Sequence, residues 1–230
     1  MQITLAHHNF ELTGQKEDVE LVASSAQFRQ WLARMDERFR IKRMEVQAVD
    51  RRRDGGLLFA KLRAEVYGPD GQPVPGGVFL RGDAVAVLVI LVTENERWCV
   101  LTAQPRFPAG EFESIEIPAG MLDDHGDIVS TALREVEEET GIRVTRESLR
   151  ELGTFIPSGG GSDERITLYA CEIRVTLEDV HTLEGKLAGL AHEHEQIRVL
   201  LVPLAELARH TRDIKALLAY GCYHQWRFEP

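Results

Sequence analysis

Cysteine and long apolar runs are both scarce in this chain of 230 residues. Its three cysteines, Cys99, Cys171 and Cys222, lack metal-binding spacing, and an odd number in apolar surroundings predicts reduced thiols. The longest apolar run, 84–92, has about half the length that a transmembrane helix needs. The N-terminal residues do not combine a basic segment with an apolar one, as a signal peptide does. We therefore predict a cytoplasmic protein with no membrane partner.

Basic charge is also in short supply. The chain has 27 Lys and Arg against 37 Asp and Glu, which gives a net charge of −10. Binding to a nucleic-acid backbone depends on clustered Lys and Arg, so we expect no nucleic-acid partner. An acidic enzyme that handles phosphates is instead expected to use a cation.

The pattern of the chain changes near residue 82. We predict a first domain, 1–81, with one helix capped by Ser24 or Ser25 and a small antiparallel sheet. Its strands are expected at 44–50, 57–67 and 78–80. The second domain, 82–230, begins with the apolar run 84–92, which is typical of a strand buried on both faces. Trp31 is interpreted as a core residue of the first domain, with stacking on an adenine as the alternative.

A helix is predicted from residue 128 to residue 139. Asp127 is a suitable N-cap, the segment contains neither Pro nor Gly, and Gly141 follows where a left-handed residue commonly ends a helix. Ala132 and Val136 belong to an apolar stripe that can pack on a sheet.

Three glutamates, Glu135, Glu138 and Glu139, project from adjoining positions of this helix. Like charges three or four residues apart cost roughly 0.2–0.5 kcal/mol per pair, so a positive partner is expected. Carboxylate oxygens suit Mg²⁺ or Mn²⁺ better than zinc, and Mg²⁺ commonly joins a protein to substrate phosphates. The segment therefore indicates a metal site, and the alternative is a solvated acidic face.

The same segment resembles the Nudix box, which reads Gly, five residues, Glu, seven residues, Arg-Glu, an aliphatic, any residue, Glu-Glu, any residue, Gly and an aliphatic. The positions in register are Gly120, Arg134, Glu135, Val136, Glu138, Glu139, Gly141 and Ile142. Gly126 departs from the pattern, because the family has its first glutamate there. In the family that glutamate helps to hold the box arginine, a task that Asp124 or Asp127 can take over. The resemblance implies an α+β fold, a Nudix α/β/α sandwich with a mixed sheet.

The resemblance also implies roles for particular residues. Glu135, Glu138 and Glu139 hold the metal together with the carbonyl of Ala119, and Glu138 counts among the catalytic residues as well. Arg134 is catalytic in the sense that it orders the glutamates.

Outside the box, Arg106 follows a predicted strand in a Gln-Pro-Arg turn. It is a candidate contact of a substrate diphosphate, and a plain surface arginine is the equal alternative.

Three consecutive glycines, 159–161, precede Asp163 and Glu164. A Gly-rich loop with carboxylates at its end indicates a mobile catalytic lid. Hydrolysis of a diphosphate needs a base beside the attacking water, and Glu164 is the candidate. Asp163 is the alternative base and a candidate substrate contact, while a plain linker would give neither residue a role.

The motifs are most similar to those of the ADP-sugar diphosphatases of the Nudix superfamily. The similar stretches are IPAGMLDD, REVEEETGI, GGGSDE, LEGK, HEHEQIRVLLVP and DIKALLAYG. The resemblance implies metal-dependent hydrolysis of ADP-ribose or ADP-glucose to AMP and a sugar phosphate. It also implies a homodimer whose N-terminal domain contributes to dimerisation and base recognition. Two alternatives stay open: another nucleoside diphosphate substrate such as GDP-mannose, and a non-hydrolytic sensor, which Gly126 favours.

Overall fold

The structure, a computed structural model, describes residues 1–5, 7–122, 127–189 and 197–228. The predicted departure at Gly126 and its neighbour Asp124 lie outside these ranges. The chain divides into two compact units. The first is Met1–Asp83 with Ile156–Arg165, and the second is Ala84–Phe155 with Ile166–Pro230. Residues 156–165, which follow the start of the second domain in sequence, therefore group with the first unit.

The first unit combines two helices with a six-stranded sheet. In chain order its elements are β1 Gln2–Leu5, β2 His8–Thr13, α1 Lys16–Ser24, α2 Ala26–Ala33, β3 Arg40–Arg51, β4 Leu57–Tyr67, β5 Pro73–Val74 and β6 Gly77–Leu80. The strands are ordered β1-β2-β3-β4-β5, and β6 pairs with β4. Strands β2 and β3 are parallel, whereas the other pairs are antiparallel.

This unit is larger than the sequence indicated. The predicted helix corresponds to α2, and the hydroxyl of Ser25 accepts a hydrogen bond from the backbone N–H of Phe28. A second helix, α1, buries only Val19 and Val22. Its apolar stripe is too narrow to give a clear helical period. The prediction of one helix and a purely antiparallel sheet is therefore wrong in these two details.

The second unit contains an eight-stranded mixed sheet. Its elements are β7 Ala84–Val92, β8 Arg97–Arg106, β9 Glu111–Glu116, β10 Ala119–Met121, α3 Ile128–Thr140, β11 Arg150–Phe155, β12 Ile166–Arg174, α4 Leu177–Leu183, β13 Leu187–Ala188, β14 Ile197–Pro203, α5 Leu207–His210 and α6 Ile214–Phe228. The main path is β11-β12-β7-β8-β14-β13, while β10 pairs with β7 and β9 with β8. Strands β12 and β7 are parallel.

The central strand β7 is buried on both sides. Its even-numbered residues from Ala84 to Ile90 belong to a core that α6 completes with Ala216 and Ala219. Its odd-numbered residues face a second core to which α3 contributes Ala132 and Val136. Helices thus cover both faces of one mixed sheet, and the predicted α/β/α sandwich is confirmed.

No helix among the described residues is long and apolar enough to cross a membrane. Cys99 and Cys171 are buried and Cys222 is half-buried, and all three are free thiols.

Candidate active site

Local capping fixes both ends of α3. The carboxylate of Asp127 accepts hydrogen bonds from the backbone N–H groups of Val129, at 2.9 Å, and Ser130, at 3.1 Å. At the other end Gly141 adopts a left-handed conformation with φ of 71°. The predicted caps are confirmed, and they hold the box glutamates on a regular helix.

Glu139 is the most deeply buried of the three glutamates, with 5% of its surface exposed. Its carboxylate accepts hydrogen bonds from the backbone N–H of Ala119, at 3.3 Å, and from Nε2 of Gln104, at 3.4 Å. Burial, and after it the nearby charge of Glu135, raise the pKa of Glu139 to about 8 against the weaker opposing effects of these hydrogen bonds and of Arg106. A carboxyl group with this pKa is mostly protonated at neutral pH.

Gly120 allows Glu135 to lie against the backbone of β10. A Cβ at this position would be 2.1 Å from Cδ of Glu135, well inside van der Waals contact. Any larger residue would therefore push the Glu135 carboxylate away. The requirement for glycine at the start of the box thus has a steric cause in this chain.

Arg134 contacts two of the three glutamates. Its guanidinium lies 3.1 Å from Oε1 of Glu135 and 3.0 Å from Oε2 of Glu138. The predicted i,i+4 pairing of Arg134 with Glu138 is present. The arginine therefore balances part of the negative charge on this helix.

The carboxylate oxygens on α3 are of a type that suits a hard divalent cation. They are not positioned as a complete coordination site. Within the described ranges, no three side chains of His, Cys, Asp or Glu are close enough together to hold a metal ion as they stand. The oxygens of Glu135, Glu138 and Glu139 are nonetheless of the type that Mg²⁺ or Mn²⁺ binds.

Arg106 forms a bidentate pair that sequence reasoning missed. Its Nε lies 2.8 Å from Oε1 of Glu116, and its Nη2 lies 3.0 Å from Oε2. Lys215 contacts the same carboxylate at 3.3 Å. Burial would raise the pKa of Glu116, but Arg106 and Lys215 together lower it to about 2. Glu116 alternates with aliphatic residues in the sequence, and that pattern gave no sign of its partners.

Asp163 and Glu164 belong to the first unit. The carboxylate of Asp163 accepts hydrogen bonds from the backbone N–H groups of Arg81, at 2.7 Å, and Gly82, at 3.2 Å. Arg34 lies 3.7 Å from the same carboxylate, whose side chain is fully buried. Glu164 instead forms one ion pair, at 2.9 Å, with Nε of Arg81.

The Gly-rich segment is bound to the first unit by its backbone as well. The N–H of Phe79 donates to the carbonyl of Gly161 at 2.7 Å, and Phe79 forms a β-bridge with Ser162. Residues 159–163, with Trp31 and Met35, line a cavity of about 340 Å³ in that unit. Asp163 and the backbone thus hold the segment at several points, and its role as a mobile catalytic lid stays a prediction.

Comparisons with known proteins agree with this architecture. Residues 80–220 match the NUDIX domain family. Nudix hydrolase 14, chloroplastic, of Arabidopsis thaliana is 40% identical over 220 residues, which cover 86% of this chain and 70% of that protein. The ADP-ribose pyrophosphatase of Escherichia coli (strain K12) is 29% identical over 198 residues, 84% of this chain and 79% of that protein.

A solved structure described as an ADP compounds hydrolase has the same fold. It aligns with a TM-score of 0.57 over 84% of this chain and 96% of the other, at 14% sequence identity. At that identity the likeness concerns the fold alone. The family match covers more than half of the chain and includes every residue of the box. The chain therefore belongs to the Nudix hydrolase family, and its similarity within that family extends to the ADP-ribose pyrophosphatases.

Proposed function

We propose that this protein hydrolyses the diphosphate of a nucleoside diphosphate sugar, with an ADP-sugar such as ADP-ribose or ADP-glucose giving AMP and a sugar phosphate. The observation that carries the proposal is the buried carboxyl of Glu139 beside Ala119 and Glu135. A divalent cation binds the ionised form of its carboxylate ligands, and its charge would offset the cost of ionising this buried carboxyl. The similarity to ADP-ribose pyrophosphatases supports the choice of substrate.

Nudix hydrolases generally use divalent metals, and Mg²⁺ or Mn²⁺ is the cation proposed here. Glu135, Glu138 and Glu139 would hold it together with the carbonyl of Ala119. When bound, it would neutralise charge that builds on the phosphoryl oxygens during hydrolysis. Arg134, which already contacts Glu135 and Glu138, would keep these carboxylates oriented.

The chain's own residues would carry the remaining steps. Arg106 would bind an oxygen of the diphosphate, because its guanidinium is 41% exposed and the bidentate pair with Glu116 fixes its orientation. Glu164 would accept the proton of the attacking water. We favour Glu164 over Asp163 because the buried Asp163 carboxylate is engaged by two backbone N–H groups and by Arg34.

The first unit is proposed to serve dimerisation and base recognition. Its cavity, lined in part by Trp31 and Met35, offers an apolar surface suited to a base. The homodimer, the cytoplasmic location and the absence of nucleic-acid and membrane partners stay predictions from the sequence.

A substrate panel tests the proposal. ADP-ribose, ADP-glucose, GDP-mannose and UDP-glucose are incubated with the protein and Mg²⁺, and release of AMP, GMP or UMP is measured beside samples with EDTA. We expect rapid AMP release from the ADP-sugars and none with EDTA. Faster release of GMP from GDP-mannose would show that the enzyme prefers guanine over adenine. Tight binding without any turnover would support the sensor alternative.

A further inference from the structure

A row of four charged side chains leads from α6 to Arg106. Asp213 lies 2.8 Å from Nζ of Lys215, and Lys215 lies 3.3 Å from Oε2 of Glu116. Glu116 in turn holds the guanidinium of Arg106 through two hydrogen bonds. The charges alternate along the row and sum to zero. We call these four residues the Arg106 relay.

Three members of the relay are largely buried, whereas Arg106 is not. The side chains of Asp213, Glu116 and Lys215 are 5%, 8% and 17% exposed, whereas that of Arg106 is 41% exposed. The interior end is thus closed to water, and the guanidinium stands at the surface. Such an arrangement holds a partly exposed guanidinium from its buried side.

Backbone contacts anchor the interior end of the relay. The carboxylate of Asp213 accepts a hydrogen bond from the backbone N–H of Ile117 at 3.3 Å. The backbone N–H of Asp213 donates to the hydroxyl of Thr211 at 2.9 Å, and that hydroxyl donates to the carbonyl of Ile115. The start of α6 is therefore bound to the segment that leads to Ala119.

The relay also lies beside the box glutamates. Gln104 is two residues before Arg106 on β8, and its amide donates to Glu139 at 3.4 Å. The strand that carries Arg106 thus contacts Glu139 through Gln104. A phosphate near Glu139 would consequently lie within the field of Arg106.

We propose that Lys215 and Asp213, acting through Glu116, are positioning residues that hold Arg106 in the orientation in which it receives the substrate diphosphate. The inference rests on the proposed function. An arginine side chain loses rotamer entropy when it is fixed, and the relay meets that cost before substrate arrives. Preorganisation of this kind acts mainly on affinity.

Removal of Lys215 has a definite electrostatic result. The relay would keep two negative charges and one positive charge, so a net negative charge would remain beside the place where a diphosphate binds. The Glu116 carboxylate would also lose one of the contacts that fix its rotamer. We expect Lys215→Met to raise KM for the ADP-sugar about tenfold, with a smaller change in kcat.

A double-mutant cycle tests the relay. KM and kcat are measured for Lys215→Met, Arg106→Ala and the double variant, and the Kd of adenosine 5′-(α,β-methylene)diphosphate is measured on the same proteins by calorimetry. If Lys215 acts through Arg106, then Lys215→Met changes KM and Kd less than about twofold once Arg106 is absent. Lys215→Arg keeps the charge, and we expect it to restore KM to within about twofold of the wild type.

Two further variants guard against trivial effects. Lys42→Met is the matched control, because it breaks a Lys–Glu pair of 2.9 Å on the exposed surface of the first unit. It should leave KM and kcat unchanged. If Lys215→Met does not fold, Asp213→Asn takes its place, since asparagine keeps an acceptor for the N–H of Ile117 while it removes the charge.

The outcomes separate the relay from the proposed function. Wild-type turnover of ADP-sugars with independent, multiplicative effects of Lys215→Met and Arg106→Ala would overturn the relay alone. A lower melting temperature of Lys215→Met with an unchanged KM would also overturn it and leave the contacts a purely structural role. A wild type that neither turns over any ADP-sugar nor binds the methylene diphosphate would overturn both.

Discussion

Glu139 and Glu116 are both buried carboxylates of the second unit, yet their pKa values move in opposite directions. Glu139 has amide donors but no cationic side chain within ion-pair distance among the described residues, and its pKa rises to about 8. Glu116 is buried between Arg106 and Lys215, and its pKa falls to about 2. The difference lies in the partners, since burial acts on both carboxyls in the same sense. Glu139 thus lacks an ion-paired cation among the described residues, whereas Glu116 has two, Arg106 and Lys215.

We predict that Glu139→Gln abolishes turnover and stabilises the metal-free protein at alkaline pH. Loss of one metal carboxylate removes several kcal/mol of transition-state stabilisation, so turnover should fall on the order of a hundredfold or more. In the folded protein the pKa of Glu139 lies above its ordinary value of 4.5. Its ionisation therefore opposes folding increasingly as pH rises from about 4.5 to about 8, and glutamine removes that penalty. Steady-state rates at saturating Mg²⁺ and melting temperatures in EDTA measure the two effects.

Glu137→Gln is the matched control for this variant. Glu137 lies on the same helix and pairs with Arg143 at 2.7 Å on the exposed side. Its replacement should change neither rate nor pH dependence. A Glu139→Gln protein with near wild-type rates at saturating Mg²⁺ would show that the metal assignment is wrong.

The two candidate bases give a second prediction. Asp163→Asn should destabilise the protein by about 3 kcal/mol, because it removes the buried charge that pairs with Arg34. Glu164→Gln should change stability little and lower kcat on the order of a hundredfold, as loss of a general base does. Urea denaturation and steady-state kinetics on both variants test the assignment. The reverse result, with turnover lost in Asp163→Asn at unchanged stability, would make Asp163 the base.

At the scale of elements, α3 depends on its caps. Gly141 ends the helix at φ of 71°, where an L residue with a Cβ is strained by roughly 1–2 kcal/mol. We predict that Gly141→Ala lowers the free energy of unfolding by about that amount, and that Gly141→Asn lowers it less, because asparagine tolerates the left-handed region. Denaturation midpoints measure both.

Gly221 supplies the control, since a Cβ there would meet no atom within 4 Å and its φ is not positive. Gly221→Ala in α6 should raise stability by about 0.5–1 kcal/mol. Equal losses in Gly141→Ala and Gly141→Asn would mean that crowding rather than backbone conformation limits this position.

The elements that the sequence predicted well are those with local signals. Helix α3 was bounded by Asp127 and Gly141, whose preferences depend on a few neighbouring residues, and β7 was marked by an unbroken apolar run. The parallel pairing of β2 with β3 joins residues about 30 positions apart, and no local pattern encodes it. The candidate site divides in the same way. Glu135, Glu138 and Glu139 follow from spacing, whereas the contact of Lys215 with Glu116 joins residues that only the folded chain brings together.

At the scale of the whole molecule, charge balance decides how pH acts on stability. Stability that Glu116 contributes is fully present above its ordinary pKa of 4.5 and is lost as pH falls through about 2. The cost of burying Glu139 grows in the other direction, from about 4.5 to about 8. These two carboxyls together favour the metal-free protein most strongly near pH 4.5 to 5. This optimum is more acidic than the pH at which the proposed reaction would use an ionised Glu139.

We therefore predict that a divalent cation stabilises the protein more at pH 8 than at pH 5. A ligand that binds only the folded state raises stability by an amount that grows with the logarithm of its affinity, and metal affinity falls when a ligand carboxyl is protonated. Melting temperatures with Mg²⁺ and with EDTA should differ by more at the higher pH, and Glu139→Gln should reduce that difference. Because Asp213 and Lys215 lie outside the proposed metal ligands, Asp213→Asn should leave the pH dependence of the Mg²⁺ effect unchanged. An equal Mg²⁺ effect at both pH values would mean that Glu139 does not bind the cation, and the raised pKa of that carboxyl would then reflect burial alone.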